Sequence, residues 1–444
     1  MNNFSKLGFI LATLGSSIGL GHIWRFPYMA GSSGGGAFVL LFLAITFVIG
    51  VSMLVAEMII GNRAKTNAQD AFKVLDENPA KRWQWAGIFV IVGPMILSFY
   101  CVVLGWVFYY LFSVSFNLPS EAKASADAFV HMIEGRSYLQ IGYLALILAI
   151  TAFFVARGVK SGIESLNFIL MPLLFIIFIG LLIYAMTLPS FAQGVHFMFD
   201  FDFSKVMSSE VLINALGQVF FSLSIGAGTI ITYAAATEEK QNLLSSAMWV
   251  VVPGIVISLI AGVMIFTFVF EHGAEPAAGA GLVFITLPLV FKEMGLAGNI
   301  ISVLFMIGLA FAGISSTVSL LEPAVKWLED KTKLTRSSST WLLSLAIFVV
   351  GVVLIFSLNP NNHLTIAGKN LFDAMDWLSA NIMLTLGGLS SCIFVGWFIP
   401  KEKLKSFSAH YLGGFGFHLW LFVVRFLAPA TIIVILIYNI FLKK

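Results

Sequence analysis

Residues 14–27 read LGSSIGLGHIWRFP and lie inside an apolar run long enough to cross a bilayer. Gly15, Ser16, Ser17, Gly19, Gly21, His22, Arg25 and Pro27 interrupt it. Glycine in a helix interior costs about 1 kcal/mol relative to alanine, and proline removes a backbone hydrogen bond. Arginine at membrane depth needs a partner or water. A segment that only had to span would carry none of these. The run predicts a helix broken mid-membrane, whose freed N–H and C=O groups must face protein, water or a ligand because lipid cannot satisfy them. Carbonyls that end one half-helix can coordinate a cation, and amides that open the next can hold an anion. A glycine face for close helix packing is the plainer reading, but it does not call for Ser, His and Arg within a turn of the glycines.

A second stretch bears on that choice. Residues 16–21 read SSIGLG and residues 223–228 read LSIGAG, the latter in the middle of the sixth apolar run. Paired interruptions at matching places in two halves of a chain are the best sequence pointer to a transport site.

The chain has 444 residues, 59% hydrophobic and 11% charged, with a mean hydropathy of +0.96. That is the composition of a polytopic membrane protein. A net charge of +3 gives no case for nucleic acid. Cys101 and Cys392 both lie in apolar segments and read as small core residues, not a disulfide or a metal pair. No nucleophile–base pair, HExxH or phosphate loop is present, so an enzyme is not expected.

Spans need about 20 apolar residues. Eleven runs qualify: 7–30, 36–61, 85–114, 139–156, 162–188, 208–236, 241–270, 296–325, 338–357, 371–399 and 410–441. With the N-terminus inside, sixteen of the twenty-five Lys and Arg residues fall in cytoplasmic segments, as the positive-inside rule asks. Eleven spans then put Lys443 and Lys444 outside. The stretch 271–295, rich in Gly, Ala and Pro, reads equally as a lid over an outer vestibule or an ordinary loop. The fold expected is all-α and polytopic, with 11 transmembrane helices. Residues 1–188 and 208–399 would be two inverted five-helix repeats, with helices 1 and 6 broken and crossing near the midplane. Residues 410–444 would hold the eleventh helix and the C-terminus.

These residues resemble a known family. Leu7 to Ala12, Gly19-Leu20-Gly21, Ile23 to Tyr28 and Gly34 to Phe38 are similar to the first two spans of the neurotransmitter:sodium symporters. Gly217 to Ser224 resembles their sixth span, Ala312 to Ser316 their eighth and Phe372 to Asp376 their tenth. The eleven spans look like the shorter bacterial members, which implies a bacterial inner membrane.

The resemblance implies one sodium site from the carbonyls of Gly15, Ile18 and Ala312 and the hydroxyls of Ser315 and Ser316. The family's other sodium site is altered. It would use the Ser17 carbonyl and the Ser222 hydroxyl, but His22 and Gly254 stand where two oxygen-bearing side chains belong. Two readings of His22 stay open: a protonated ring that replaces the ion beside a substrate carboxylate, or a neutral ring bonded to freed backbone. Gln218, Ser222 and Ser258 match a chloride set, but Phe42 replaces its tyrosine, which argues against a firm chloride site.

For substrate, a carboxylate would meet the amides near Leu20 and Gly21 with the Tyr100 hydroxyl, and an ammonium the carbonyls near Ser17, Phe221 and Ser224. Ile96, Phe221, Ser224, Ala227, Ser316 and Leu320 would line an apolar side-chain pocket. Ala227 stands where the leucine transporter has a bulky aromatic, leaving room for a large side chain. Arg25 and Asp376 would form an outer gate over Tyr100 and Phe221, or else a static ion pair. Glu57 reads as a brace for the broken sixth helix. Only Lys6 among the charged residues precedes the first span, so the family's inner lock would be missing or altered.

The function implied is sodium-coupled symport of neutral, hydrophobic or aromatic amino acids by alternating access. The alternatives are proton-influenced or proton-coupled transport of an amino acid or amine through His22, and a non-transporting amino-acid sensor of the same fold. A small-molecule substrate and the bilayer are the partners expected; nucleic acid and an obligatory protein partner are not.

Overall fold

In the computed structural model, the first apolar run ends its helix where the glycines and serines begin. Lys6–Ser17 and Gly21–Ser32 are separate helices that meet at 53°. The structure describes residues 3–201, 206, 208–273, 279, 281–366 and 368–442. Ser5 caps the first half-helix, its hydroxyl accepting from the Gly8 N–H. At the break Ile18 leaves helical geometry, with ψ 89°.

The sixth run breaks more sharply. Ser209–Ser222 stops, six residues intervene, and Thr229–Ala235 resumes. Ser224 (φ 52°), Gly226 (φ 93°) and Gly228 (φ 76°) take left-handed backbone there. Only glycine fits at 226: a Cβ would lie 2.1 Å from the Leu384 carbonyl oxygen. The freed Gly226 N–H donates to Glu57 Oε1 at 3.0 Å, and Ser391 Oγ donates to the same oxygen at 3.1 Å. Glu57 thus braces the sixth-helix break from the second span.

Among the described residues nine further helices are long and apolar enough to cross a membrane, from Gly36–Ala64 to Gly414–Phe441. Together with the two broken runs they match the eleven apolar runs in order. Their outward faces expose Ile176, Ile183, Leu345 and Val349, as a lipid-facing surface should. The eighth span, Leu296–Lys331, packs against the first, third, fifth and ninth. It runs on beyond the expected end at 325 to Lys331, and in that last stretch Lys326 reaches Asp330 one turn on (2.6 Å).

The loops hold structure that the apolar pattern could not show. Ala68–Leu75, Ala122–Val130, Phe191–Phe199 and Lys401–Ser408 are short helices. Thr365–Ile366 and Lys369–Asn370 pair as an antiparallel hairpin. Of the lid stretch, residues 274–278 and 280 lie outside the described residues, as do Lys443 and Lys444. Gly279, which is described, accepts a hydrogen bond from Trp24 Nε1 (3.2 Å).

Candidate functional site

The two breaks lie side by side and tie to one another. Ser17 Oγ donates to the Ser222 carbonyl (2.7 Å), and Ser224 Oγ donates back to the Ser16 carbonyl (2.8 Å). That second bond anchors the left-handed Ser224. Gln218 Nε2 adds a third tie, donating to the Gly21 carbonyl (2.9 Å) and to Ser222 Oγ (3.0 Å).

Between the breaks is a small cavity of about 40 Å³. Ser17, Leu20, Gly21, Ile96, Tyr100, Phe221, Ser224, Ala227, Ser316 and Leu320 all border it. Ser16, Gly19 and Leu384 border it too, and sequence reasoning did not single them out for this role. Gly19 was visible as a helix breaker, but its close approach was not: a Cβ there would lie 2.7 Å from Ser316 Oγ and 3.0 Å from the Tyr100 hydroxyl. Ligand sites usually hold at least roughly 300 Å³, so this cradle must widen to take a solute. The Tyr100 hydroxyl accepts from the Leu20 N–H at 3.3 Å and also hydrogen-bonds the Ser316 side chain.

A larger cavity of about 700 Å³ lies beyond the Arg25 side of the cradle. Leu20, Gly21, Tyr100 and Phe221 border both cavities and so partition them. Arg25 and Asp376 both line the larger one. They interact electrostatically but make no direct ion pair; the Arg25 guanidinium instead lies over the Phe221 ring, 4.6 Å from its centre. The gate pair of the sequence reading is therefore parted here.

The expected sodium oxygens converge on the first break. Ser315 Oγ donates to the carbonyls of Gly15 and Ala312, both at 2.9 Å, and Ser316 Oγ reaches the Gly15 carbonyl at 3.4 Å. Ile18 follows Gly15 by one turn at the same break, with the non-helical backbone already described. This all-oxygen set suits a small hard cation, which would replace the hydroxyl-to-carbonyl bonds.

At the altered second site a histidine ring stands among the remaining oxygens. His22 is 2% exposed, and its Nε2 lies 3.0 Å from where a Cβ on Gly254 would be. Ser17 Oγ is 3.8 Å from that point. The ring fills the space between Ser17 and Gly254, and the Ser222 hydroxyl already accepts from Gln218. Among the described residues His22 Nδ1 has no partner, nor do Gln218 Oε1, Ser258 Oγ and Thr46 Oγ1. Phe42 is buried against Phe26 and Phe38, so no hydroxyl enters from its position.

The comparisons with known proteins agree with this architecture. The model of the sodium:neurotransmitter symporter family matches residues 2–129 and 132–444. The chain is 34% identical over 435 residues to the uncharacterized sodium-dependent transporter YhdH of Bacillus subtilis, covering 97% of this chain and 96% of that protein. It is 36% identical over 448 residues to an uncharacterized sodium-dependent transporter of Haemophilus influenzae, covering 98% and 97%. The crystal structure of MhsT in complex with L-phenylalanine superposes with a TM-score of 0.89 at 37% identity, covering 99% of this chain and all of that one. The chain therefore belongs to the sodium:neurotransmitter symporter family, and is a multi-pass membrane transporter of sodium-coupled type, not an enzyme.

Proposed function

We propose that the chain imports neutral amino acids with large apolar or aromatic side chains, coupled to sodium held by Gly15, Ile18, Ala312, Ser315 and Ser316. The observation that carries this reading is the cradle itself. Its polar groups are backbone and hydroxyls at the two breaks, suited to a zwitterion, and its far wall is Ile96, Ala227, Phe221 and Leu320. Among the described residues no Asp, Glu, Lys or Arg borders it, so none of them reads a charged side chain there. The phenylalanine held by the similar MhsT supports the same substrate class. Uptake of labelled phenylalanine into proteoliposomes tests it: flux should be saturable, require an inward sodium gradient and be competed by leucine and tryptophan. Binding without flux would favour a sensor.

The second sodium site is closed by His22, and one sodium ion per substrate is the expected stoichiometry. The unpartnered Nδ1 of His22 also supports a second reading, in which a substrate carboxylate recruits a proton to that ring. Among the described residues no acid faces it: the seventh span carries only Glu271 at its end, and Ser209–Ser222 only Glu210 near its start. Arg25 is the charged neighbour on its own helix. Charging the ring without a counter-anion is costly, so the proton would arrive only with the substrate. Uptake at fixed sodium that falls steeply above neutral pH, and no longer does so in His22→Gln, is what this second reading requires. Chloride independence follows from Phe42. The five-helix repeats 1–188 and 208–399, the cytoplasmic N-terminus and a bacterial inner-membrane location belong to the same proposal.

A further inference from the structure

We infer that Asn167, on the fifth span, supplies a further oxygen to the sodium site. The inference rests on the assignment of that site to Gly15, Ile18, Ala312, Ser315 and Ser316.

Asn167 is fully buried in the helix Ser165–Ala185. Its Nδ2 donates to the Ile163 carbonyl at 2.9 Å, which fixes the amide's orientation. That leaves Oδ1 pointing away, and among the described residues it has no hydrogen-bond partner. Buried polar atoms almost always have one, and an orphaned acceptor costs the desolvation of that atom. The position of the orphan is informative. A Cβ on Gly15 would lie 2.0 Å from Asn167 Oδ1 and 3.1 Å from Ser315 Cβ. The amide oxygen and the Ser315 side chain thus flank the same point on Gly15, whose carbonyl already accepts from Ser315 and Ser316. Glycine at 15 is what admits the oxygen. An oxygen with no donor, set beside Gly15 and Ser315 of that site, has a cation or the cation's water as its natural partner.

The fifth span repeats the arrangement one turn earlier. A Cβ on Gly8 would lie 2.2 Å from the carboxyl carbon of Glu164. Glu164 accepts from Ser5 N–H (3.1 Å) and Ser5 Oγ (2.6 Å). Gly8 and Gly15 lie two turns apart on one face of the first half-helix. Two side chains of the fifth span therefore lay oxygens along that face, and only the one nearest the sodium set is left without a donor.

The test is the sodium-induced thermal shift of the purified chain, titrated with sodium chloride against a constant total of sodium plus potassium chloride, without amino acid. Binding to the native state raises the melting temperature by mass action. Asn167→Ala should raise the sodium concentration giving half the shift about tenfold. Asn167→Asp, which keeps the oxygen and adds charge, should lower it. Ser315→Ala should raise it as well. A midpoint in Asn167→Ala within twofold of wild type, with a lower melting temperature in potassium alone, would mean a purely structural amide and overturn the assignment. If Asn167→Ala does not fold, Asn167→Asp decides: a midpoint raised in that variant sinks the idea. If Ser315→Ala leaves the midpoint unmoved, the sodium site is misassigned and the role of Asn167 falls with it.

Discussion

His22 and Gly254 share one space: the imidazole Nε2 lies 3.0 Å from the point a Cβ on residue 254 would occupy. A larger residue at 254 and the histidine at 22 crowd each other, and one must shift to admit the other. Gly254→Ala alone should destabilise the protein by about 1–3 kcal/mol through overpacking. In a His22→Ala background the same change should cost almost nothing. The cycle is read by thermal melting in detergent, with a coupling of about 1 kcal/mol or more. Additive single effects would show that the two positions are independent. The pair His22→Asn with Gly254→Asn restores two oxygen-bearing side chains, and should steepen the sodium dependence of uptake from first order toward second.

Tyr100 stands between the cradle and the outer cavity with its hydroxyl accepting from Leu20. Turned from Ser316, its proton can reach a carboxylate placed on the amides of the first break. Tyr100→Phe should therefore weaken amino-acid binding about tenfold, roughly 1.4 kcal/mol. An amine of the same side chain that lacks the carboxylate should lose little. Competition binding with phenylalanine and phenethylamine checks this, and equal losses for both would remove Tyr100 from carboxylate recognition.

Both broken helices were legible because glycine and serine in an apolar run have a known local cost. The Ser16 and Ser224 positions could be read from the repeated motif, and they do meet across the breaks. Asn167 could not be read in the same way. It is a lone polar residue in an apolar helix, and its contact with Gly15 joins positions far apart in sequence. Leu384 borders the cradle only because Gly226 lets the tenth span approach. The relation of Arg25 to Asp376 depends on which partner the guanidinium takes, and here it takes the face of Phe221. Composition carries no information on that choice.

Beyond the membrane-spanning helices, Ala68–Leu75 is held to the end of the eighth span by polar contacts. Lys331 Nζ lies 2.7 Å from Asp70, and Asn67 Nδ2 bonds Asp330 (2.9 Å) as well as Asp70 (3.0 Å). Burial works to raise the Asp70 pKa, but the hydrogen bonds from Lys331 and Asn67 outweigh it and hold the carboxyl below its usual value of 3.8. A carboxylate whose folded pKa is lowered contributes stability in full above the unfolded pKa and loses it as pH falls through the folded one. Asp70→Asn should thus lower the stability at pH 7 slightly, by well under about 1 kcal/mol for so exposed a pair, with a small fall in melting temperature. The difference should shrink below about pH 4 and also shrink in high salt. A variant whose deficit is the same at pH 3 and pH 7 would show that charge is not what Asp70 contributes.

Ala227 sets the depth of the cradle. It is fully buried at the sixth-helix break and borders the cavity with Ile96 and Leu320. Alanine leaves the volume that a larger side chain would take from the substrate. Ala227→Phe should abolish competition by phenylalanine and tryptophan, a loss of at least about 3 kcal/mol if the added ring cannot be accommodated. Glycine and alanine, which need no depth, should still compete, because the contacts to carboxylate and ammonium lie at the breaks and not at position 227. The ratio of affinities is the reading that matters, since a variant that merely folds poorly would lose large and small solutes together. If phenylalanine still binds Ala227→Phe as it binds the native chain, the substrate side chain does not lie against this wall, and the large-apolar specificity has to be sought elsewhere.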